Sequence, residues 1–293
     1  MPASPLHAPV LAWYSEHARD VPWRVPGTSA WAVLVSEVML QQTPVARVEP
    51  VYLAWLERWP TPADLAASPA GDAVRMWGRL GYPRRALRLH AAAVEIVERY
   101  AGELPADWAA LRSLPGVGDY TAAAVASFAY GGRHAVLDTN VRRVFARALG
   151  GVALPAPSLT ATERAAAEAV LPDEPLVAAR WGVAVMEHGA LVCVARSPRC
   201  QECPINDQCA WRSAGSPAYA GKARRVQPFV GTDRQVRGLL MAAVRDADGP
   251  VDADTLRAAW ADDDQRDRAL ASLLADGLLV RDRDDQDRYG LPR

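Results

Sequence analysis

The chain has a single lysine, Lys222, only three phenylalanines, and no apolar run long enough to cross a membrane. Its positive charge is therefore almost all arginine, and lysine chemistry has one candidate position. The N-terminal stretch MPASPLHAPVLAWYSEHARD lacks a signal-peptide pattern, so the cytoplasm is the expected compartment. Overall charge is also lacking: the net value of −1 leaves no general basic coat for nucleic acid, only room for a local basic face. That small sum hides an uneven spread. From Gly231 onward fourteen Asp outweigh ten Arg, giving −4 and leaving +3 on the residues before. Long β-branched runs are missing while alanine and arginine are abundant, which predicts a mainly helical protein. At 293 residues, half of them apolar, the chain suits about two domains with a sizeable core.

Cysteine is scarce too, and its four copies are confined to 193–209. Cys193, Cys200, Cys203 and Cys209 are separated by six, two and five residues. In a reducing compartment such a cluster reads as a metal site and not as disulfides. Four thiolates suit tetrahedral zinc or an iron–sulfur cluster. The uneven spacing is not the paired C-x2-C of a zinc ribbon and favours a 4Fe–4S cubane. Such a site would staple a loop and present Arg196 and Arg199 to DNA phosphates.

The chain is organised around 111–143, LRSLPGVGDYTAAAVASFAYGGRHAVLDTNVRR. Leu111 and Leu114 close a short helix, Pro115, Gly116 and Gly118 form a turn, and a second helix is predicted over 121–130. Backbone N–H groups of Gly116, Val117 and Gly118 at such a turn, next to a helix N-terminus, suit a phosphate, although an ordinary tight turn would read the same way. Further helices are predicted over 8–19, 31–43, 46–59, 62–67, 70–80, 84–100 and 135–147, with short connections of the kind found in compact bundles.

Several residues on these elements could carry chemistry. Glu37, enclosed by Val33, Leu34, Val38 and Met39, must be paired or held protonated, and in the second case it is poised as a general acid. Asp138 sits where a helix N-cap is expected. Trp23 and Arg24 could stack on and hydrogen-bond a base, and Tyr82 stands at the tip of a Gly-Tyr-Pro loop, where an aromatic can wedge between base pairs.

Together, LPGVGDYTAAAV, VLDTNVRR, SEVMLQQT and the cysteine spacing resemble the helix-hairpin-helix base-excision DNA glycosylases. SEVMLQQT and GRLGYPRRALRLHAAA are similar to the adenine branch, the MutY type, over about residues 8–225. The resemblance implies an all-α, two-lobed protein: a six-helix barrel with the hairpin over 29–131, and an iron–sulfur lobe formed by 1–28 with 132–222, the active site lying between them. It implies that Glu37 protonates the purine at N7 and that Asp138 supports the positive sugar as the glycosidic bond breaks. It also implies that Gln42 and Tyr82 fill or wedge the vacated stack, that Thr43 is among the DNA-binding residues, and that Trp23 and Arg24 line the adenine pocket.

The implied substrate is double-stranded DNA bearing an A:8-oxoG or A:G mispair, bound by a monomer, with the adenine flipped out before excision. Bifunctional relatives place a Schiff-base lysine where this chain has Tyr120, so a lysine-dependent lyase step is not expected. A thymine or uracil mismatch glycosylase is the alternative within the class, and a non-catalytic, metal-stapled DNA-binding protein is the alternative outside it. Two departures stand out. Val183 occupies a position commonly held by Gln in the adenine branch, which makes Glu187 the nearest acid that could replace the contact. Beyond 225 only some 68 residues remain, too few for a Nudix-like lesion-reading domain. Their pattern predicts a winged-helix-like segment over 223–293, with helices over 235–245, 253–260 and 265–276 and a hairpin over 278–281 and 287–291; its acidic balance favours packing or protein contact over DNA binding.

Overall fold

The computed structural model describes residues 4–221 and 228–293. In chain order, α1 (His7–His17) and a 3-10 turn (Pro22–Arg24) lead into α2 (Ala30–Leu40) and α3 (Val45–Arg58). The short α4 (Pro62–Ala66) and α5 (Ala70–Trp77) precede the long α6 (Arg84–Tyr100). The hairpin follows as α7 (Trp108–Ser113) and α8 (Asp119–Phe128), then α9 (Thr139–Ala148), α10 (Ala161–Ala169) and α11 (Pro175–Leu191). A 3-10 turn (Cys200–Glu202) and α12 (Ala210–Ser213) belong to the cysteine loop. The C-terminal segment supplies α13 (Asp233–Arg245), β1 (Val251–Asp252), α14 (Ala253–Ala259), α15 (Asp263–Ala275), β2 (Val280–Arg281) and β3 (Arg288–Gly290). No helix among the described residues is long and apolar enough to cross a membrane.

Contacts divide the chain into two compact units. One comprises Met1–Glu37, Pro105–Ser113 and Val117–Lys222; the other comprises Val38–Leu104, Leu114–Gly116 and Ala223–Arg293. This differs from the expected division at 29–131 and 223–293. Most of the hairpin goes with the cysteine-bearing unit because α8 is welded to α11: Ala123 and Ala124 pack with Val136 and Met186, and Phe128 touches Gly182, where a Cβ would stand 3.5 Å from its ring. The C-terminal segment is not a separate body but shares a unit with 38–104. The expected boundary at 222/223 falls outside the described residues.

In the first unit α1, α9 and α11 bury Val10, Val141, Val144, Trp181 and Val185 around Ile205 of the cysteine loop. α11 starts where it does because Glu174 accepts from the N–H groups of Leu176 and Val177 and Pro175 needs no donor partner at the first position. Near its other end Gly189 lies against the first turn of α9, and a Cβ there would come 2.8 Å from Asn140 Cβ and 2.9 Å from its carbonyl oxygen. Only glycine permits that approach, which sets α11 against the residues next to Asp138.

In the second unit the apolar stripe of α6, Ala86, Leu89, Ala93 and Ile96, packs on α4 and α5. Trp55 meets Trp59 and Trp77 edge-on, with ring centroids 4.7 and 5.7 Å apart. The C-terminal segment has the element order of a winged helix. β3 lies between β1 and β2 in an antiparallel sheet, with Val251 opposite Tyr289 and Val280 opposite Gly290. Val236, Leu240, Leu256, Ala269 and Leu273 bury its three helices against one another.

Candidate active site

Glu37 lies on α2, an almost wholly apolar helix, and is 6% exposed. Its Oε2 accepts a hydrogen bond of 2.8 Å from the hydroxyl of Tyr120, which α8 carries two residues past the hairpin turn. Burial pushes the Glu37 carboxyl up to about 7, against the hydrogen bond from Tyr120 and the charge of Arg24, and the negative charge of Asp138 adds to the rise. Tyr120 is raised well above its ordinary value, by burial first and then by Glu37 and Asp138, so it stays a neutral phenol. The hairpin and α9 thus bring Glu37, Tyr120 and Asp138 into one electrostatically coupled group.

Asp138 is the N-cap of α9, as its place in the sequence suggested. Its Oδ1 accepts from the Val141 N–H at 2.6 Å and its Oδ2 from the Asn140 side-chain amide at 2.8 Å. Burial raises its carboxyl above the ordinary value, and the hydrogen bonds and the charge of Arg143 only partly oppose the rise. A carboxylate with a donor on each oxygen, at the positive end of a helix, is arranged to be the anion of the pair. Asn140 is in turn held by Arg143, which donates to Asn140 Oδ1 at 2.8 Å, to the Gly189 carbonyl at 2.6 Å and to the Cys193 carbonyl at 2.7 Å.

Glu187 corrects an expectation. It is fully buried on α11 and has no capacity left for a base. Oε1 accepts from the backbone N–H of Arg19 at 3.0 Å and from its Nε at 2.7 Å, while Oε2 accepts from Arg19 Nη2 at 2.8 Å and Arg24 Nη2 at 3.0 Å. Burial alone would raise this acid, yet these hydrogen bonds and the charge of Arg24 hold it down at about 2. Glu187 is therefore a clamp on the N-terminal segment and cannot replace the side chain missing at Val183. Arg24 is fixed with Nη1 buried and without a hydrogen-bond partner. Trp23 is buried at 8% exposure and lies with the core.

The residues expected to enter the duplex belong to the other unit. Gln42 and Tyr82 are both exposed, and both have left-handed backbones, with φ of 57° and 49°. Non-glycine residues seldom adopt that conformation unless their surroundings impose it. The surroundings here are Arg85. It donates to the carbonyls of Val38, Met39 and Gln41 at the end of α2, to Thr43 Oγ1 and to the Gly81 carbonyl, and its guanidinium lies 5.7 Å from the centre of the Tyr82 ring. Thr43 is buried, and its hydroxyl donates to the carbonyls of Gln41 and Leu80. It fastens the loop instead of facing DNA, because Arg85 draws it inward.

The hairpin glycines differ from the expectation in part. Gly116 has φ of +79°, and a Cβ there would come 2.7 Å from Arg88 Cβ. Gly118 has an ordinary φ of −95° and open space in front of it, and it starts α8 without a side-chain cap. Val117 contributes its backbone; its side chain is buried and its carbonyl accepts from Arg112 at 3.3 Å. Asp119, in the first turn, is drawn aside by Arg112 at 2.7 Å and Arg164 at 3.6 Å.

Cys193, Cys200, Cys203 and Cys209 all line one open cavity, together with Arg147, Trp211 and Arg212. No three His, Cys, Asp or Glu side chains among the described residues converge as ligands of a single metal ion would. Four thiols lining one opening are the donor set of an iron–sulfur cluster. Two donors serve the sulfurs: Arg147 Nη1 reaches Cys193 Sγ and His188 Nε2 reaches Cys203 Sγ, each at 3.3 Å. Nδ1 of His188 is buried without a partner, which fits the tautomer that donates from Nε2. Donors on sulfur favour thiolates, the form that binds iron.

Residues 35–170 match the model of the HhH-GPD superfamily of base excision DNA repair proteins, and 193–209 match that of the iron-sulfur binding domain of endonuclease III. The adenine DNA glycosylase of Mycolicibacterium smegmatis is 53% identical over 276 residues, which is 94% of this chain and 92% of that protein. The chain belongs to the adenine DNA glycosylase family. Its counterpart in Mycobacterium tuberculosis is 51% identical over 284 residues, covering 97% of this chain and 92% of the relative. The solved structure of a thermostable thymine-DNA glycosylase superposes with a TM-score of 0.63 at 25% identity, covering 70% of this chain and 94% of that one.

An adenine DNA glycosylase excises adenine in base excision repair, and members of the helix-hairpin-helix superfamily with this cysteine motif carry a 4Fe–4S cluster. Sequence reasoning missed the residues that hold these side chains in place: Asn140 and Arg143 behind Asp138, Arg19 and Arg24 around Glu187, and Arg85 beneath the two loops. One signal was available. VLDTNVRR sets Asn two and Arg five residues past the Asp, a spacing that lets one helix turn serve its own cap.

Proposed function

We propose that the chain removes adenine from A:8-oxoG and A:G mispairs in double-stranded DNA, acting as a monomer and leaving an abasic site. The observation that carries the proposal is the meeting of Glu37, Tyr120 and Asp138, two acids and a phenol in one partly buried group, with the Tyr120 hydroxyl bonded to Glu37 and a donor on each oxygen of Asp138. Adenine leaves poorly as an anion, so the protonated carboxyl of Glu37 delivers its proton to the purine ring as the glycosidic bond stretches. The developing oxocarbenium sugar is stabilised by the carboxylate of Asp138, which Val141 and Asn140 fix, until water adds at C1′ and gives up a proton to leave the abasic sugar. Arg24, held by Glu187 through Nη2, lines the pocket that receives the flipped base.

Gln42 and Tyr82 enter the duplex, and Thr43 holds their loops together. The N–H groups of Gly116, Val117 and Gly118 at the start of α8 receive a phosphate. Cys193, Cys200, Cys203 and Cys209 hold the 4Fe–4S cluster, which when bound cross-links 193–209 and keeps Arg196 and Arg199 toward the backbone. Tyr120 stands at the nucleophile position of bifunctional relatives, and a neutral phenol bound to Glu37 forms no Schiff base. Lys222, the chain's one lysine, lies outside the described residues.

Single-turnover release measured across A:8-oxoG, A:G, T:G and U:G duplexes tests the reading. Adenine release should dominate, with no strand scission until alkali is added. Preference for T:G, which Val183 and the likeness to a thymine-DNA glycosylase structure would then explain, would replace this substrate assignment, and scission without alkali would overturn the monofunctional mechanism.

A further inference from the structure

The acidic C-terminal segment has no role in the scheme above, and the front of its third helix is unsuited to phosphate. Winged-helix readers present the N-terminal residues of that helix to DNA. Here Asp262 caps α15, and Asp263 and Asp264 follow, all exposed. Its contacts with 38–104 are specific instead. At the start of α5 the Gly71 N–H donates to the Pro292 carbonyl at 2.7 Å, and a Cβ on Gly71 would come 2.4 Å from that oxygen. At the end of α5 two helix C-termini exchange arginines. Arg75 donates to the carbonyls of Arg245 and of Ala247, the latter at 2.9 Å, and Arg245, nearly buried, donates to the Gly78 carbonyl at 2.8 Å. Two negative helix ends brought together need such cations between them. Past the next turn Asp276 pairs with Arg84 at 3.2 Å and is held by Arg237 at 2.6 Å.

Gly78 and Arg84 are the two ends of the loop that displays Tyr82. From the inner side, Trp77 Nε1 and Arg85 both donate to the Gly81 carbonyl at 3.0 Å. From the outer side the C-terminal segment grips both ends. We propose that this segment is a brace for the 78–84 loop: it caps α5 at both ends and pairs with Arg84, so that Tyr82 is held extended in its left-handed conformation, ready to enter the duplex. Arg245 and Asp276 are positioning residues that touch no DNA. The proposal rests on Tyr82 being a wedge, and it gives the acidic tail a task that its charge does not oppose.

The test uses the full chain with Arg245→Met, Asp276→Asn and the conservative Asp276→Glu, and Arg268→Ala as a tail control away from the brace. Hydrogen exchange in the free protein should be about tenfold faster over 78–84 in the first two variants, and normal in Asp276→Glu and Arg268→Ala. Single-turnover adenine release should slow about fivefold in the same two variants, and the slowing should vanish when each is combined with Tyr82→Ala. Unchanged exchange, or a loss that adds to that of Tyr82→Ala, overturns the brace. Normal release by Tyr82→Ala alone overturns the wedge reading instead, so the two failures are distinguishable.

Discussion

Glu37 and Glu187 are both buried acids in the same compact unit, yet one is raised to about 7 and the other held at about 2. Exposure to solvent does not separate them, since both side chains are buried. Their donors do. Glu187 collects four hydrogen bonds from two arginines, whereas Glu37 has the hydroxyl of Tyr120 and feels Arg24 only at a distance. The same arginine thus serves both acids, bonded to one and merely near the other. One acid anchors the N-terminal segment as an ion, and the other is left able to carry a proton.

The contrast breaks most visibly in activity. Glu37→Gln removes the proton donor and Asp138→Asn the fixed anion, and each should lower single-turnover adenine release by roughly 10²–10⁴-fold. Duplex affinity, measured with an uncleavable substrate analogue, should change little. At Glu187 the larger effect is on stability. Glu187→Gln leaves two arginine guanidinia facing a neutral amide and should cost about 3 kcal/mol in denaturant unfolding at pH 7. A midpoint equal to that of the parent would show that the clamp is not needed for folding.

Opposite pKa shifts give opposite pH slopes, which sharpens the comparison. The Glu187 carboxyl lies below its ordinary 4.5, so the stability it contributes is present above 4.5 and is lost as pH falls toward 2. The Glu37 carboxyl lies above 4.5, so stability associated with its protonated form is complete below 4.5 and is lost as pH rises through 7. Glu37→Gln should therefore be more stable than the parent at pH 8, by about 3 kcal/mol, and no more stable at pH 4.5. Paired urea titrations at those two values decide it. The inactive variant would then be the sturdier one, as expected where an active site holds an unfavourable charge.

The sequence made some of this legible and hid the rest, for physical reasons. Helices were readable because apolar spacing and caps are local, and α6, α9 and the C-terminal helices lie within a few residues of where the pattern put them. Glu37 was readable because four apolar neighbours on its own helix imply burial. Its partner was not, since Tyr120 is 83 positions away and meets it only through the fold. The same holds for Glu187, which looked available for a base until Arg19, 168 positions away, occupied it. Thr43 was expected at the DNA, but Arg85 reaches it from 42 positions away and it is buried. That most of the hairpin groups with the cysteine-bearing unit was not legible, because the approach of Phe128 to Gly182 is a contact no local pattern announces.

The smallest expected effect is the most informative about the proton. Tyr120 donates to Glu37 and so stabilises its ionised form, opposing the rise that burial imposes. Tyr120→Phe removes the donor and keeps most of the ring, so the Glu37 carboxyl should move further up. Because the acid acts in its protonated form, adenine release by the parent should decline as pH rises through about 7, and in Tyr120→Phe the decline should begin at higher pH, by about half a unit to one unit. The plateau below the transition should fall only a few-fold, since the phenol neither gives the proton to the purine nor carries charge. A pH–rate profile under single-turnover conditions measures both quantities. A shift to lower pH would mean that the phenol favours protonated Glu37, and a plateau collapsed as far as that of Glu37→Gln would mean that Tyr120 takes part in the bond-breaking step itself.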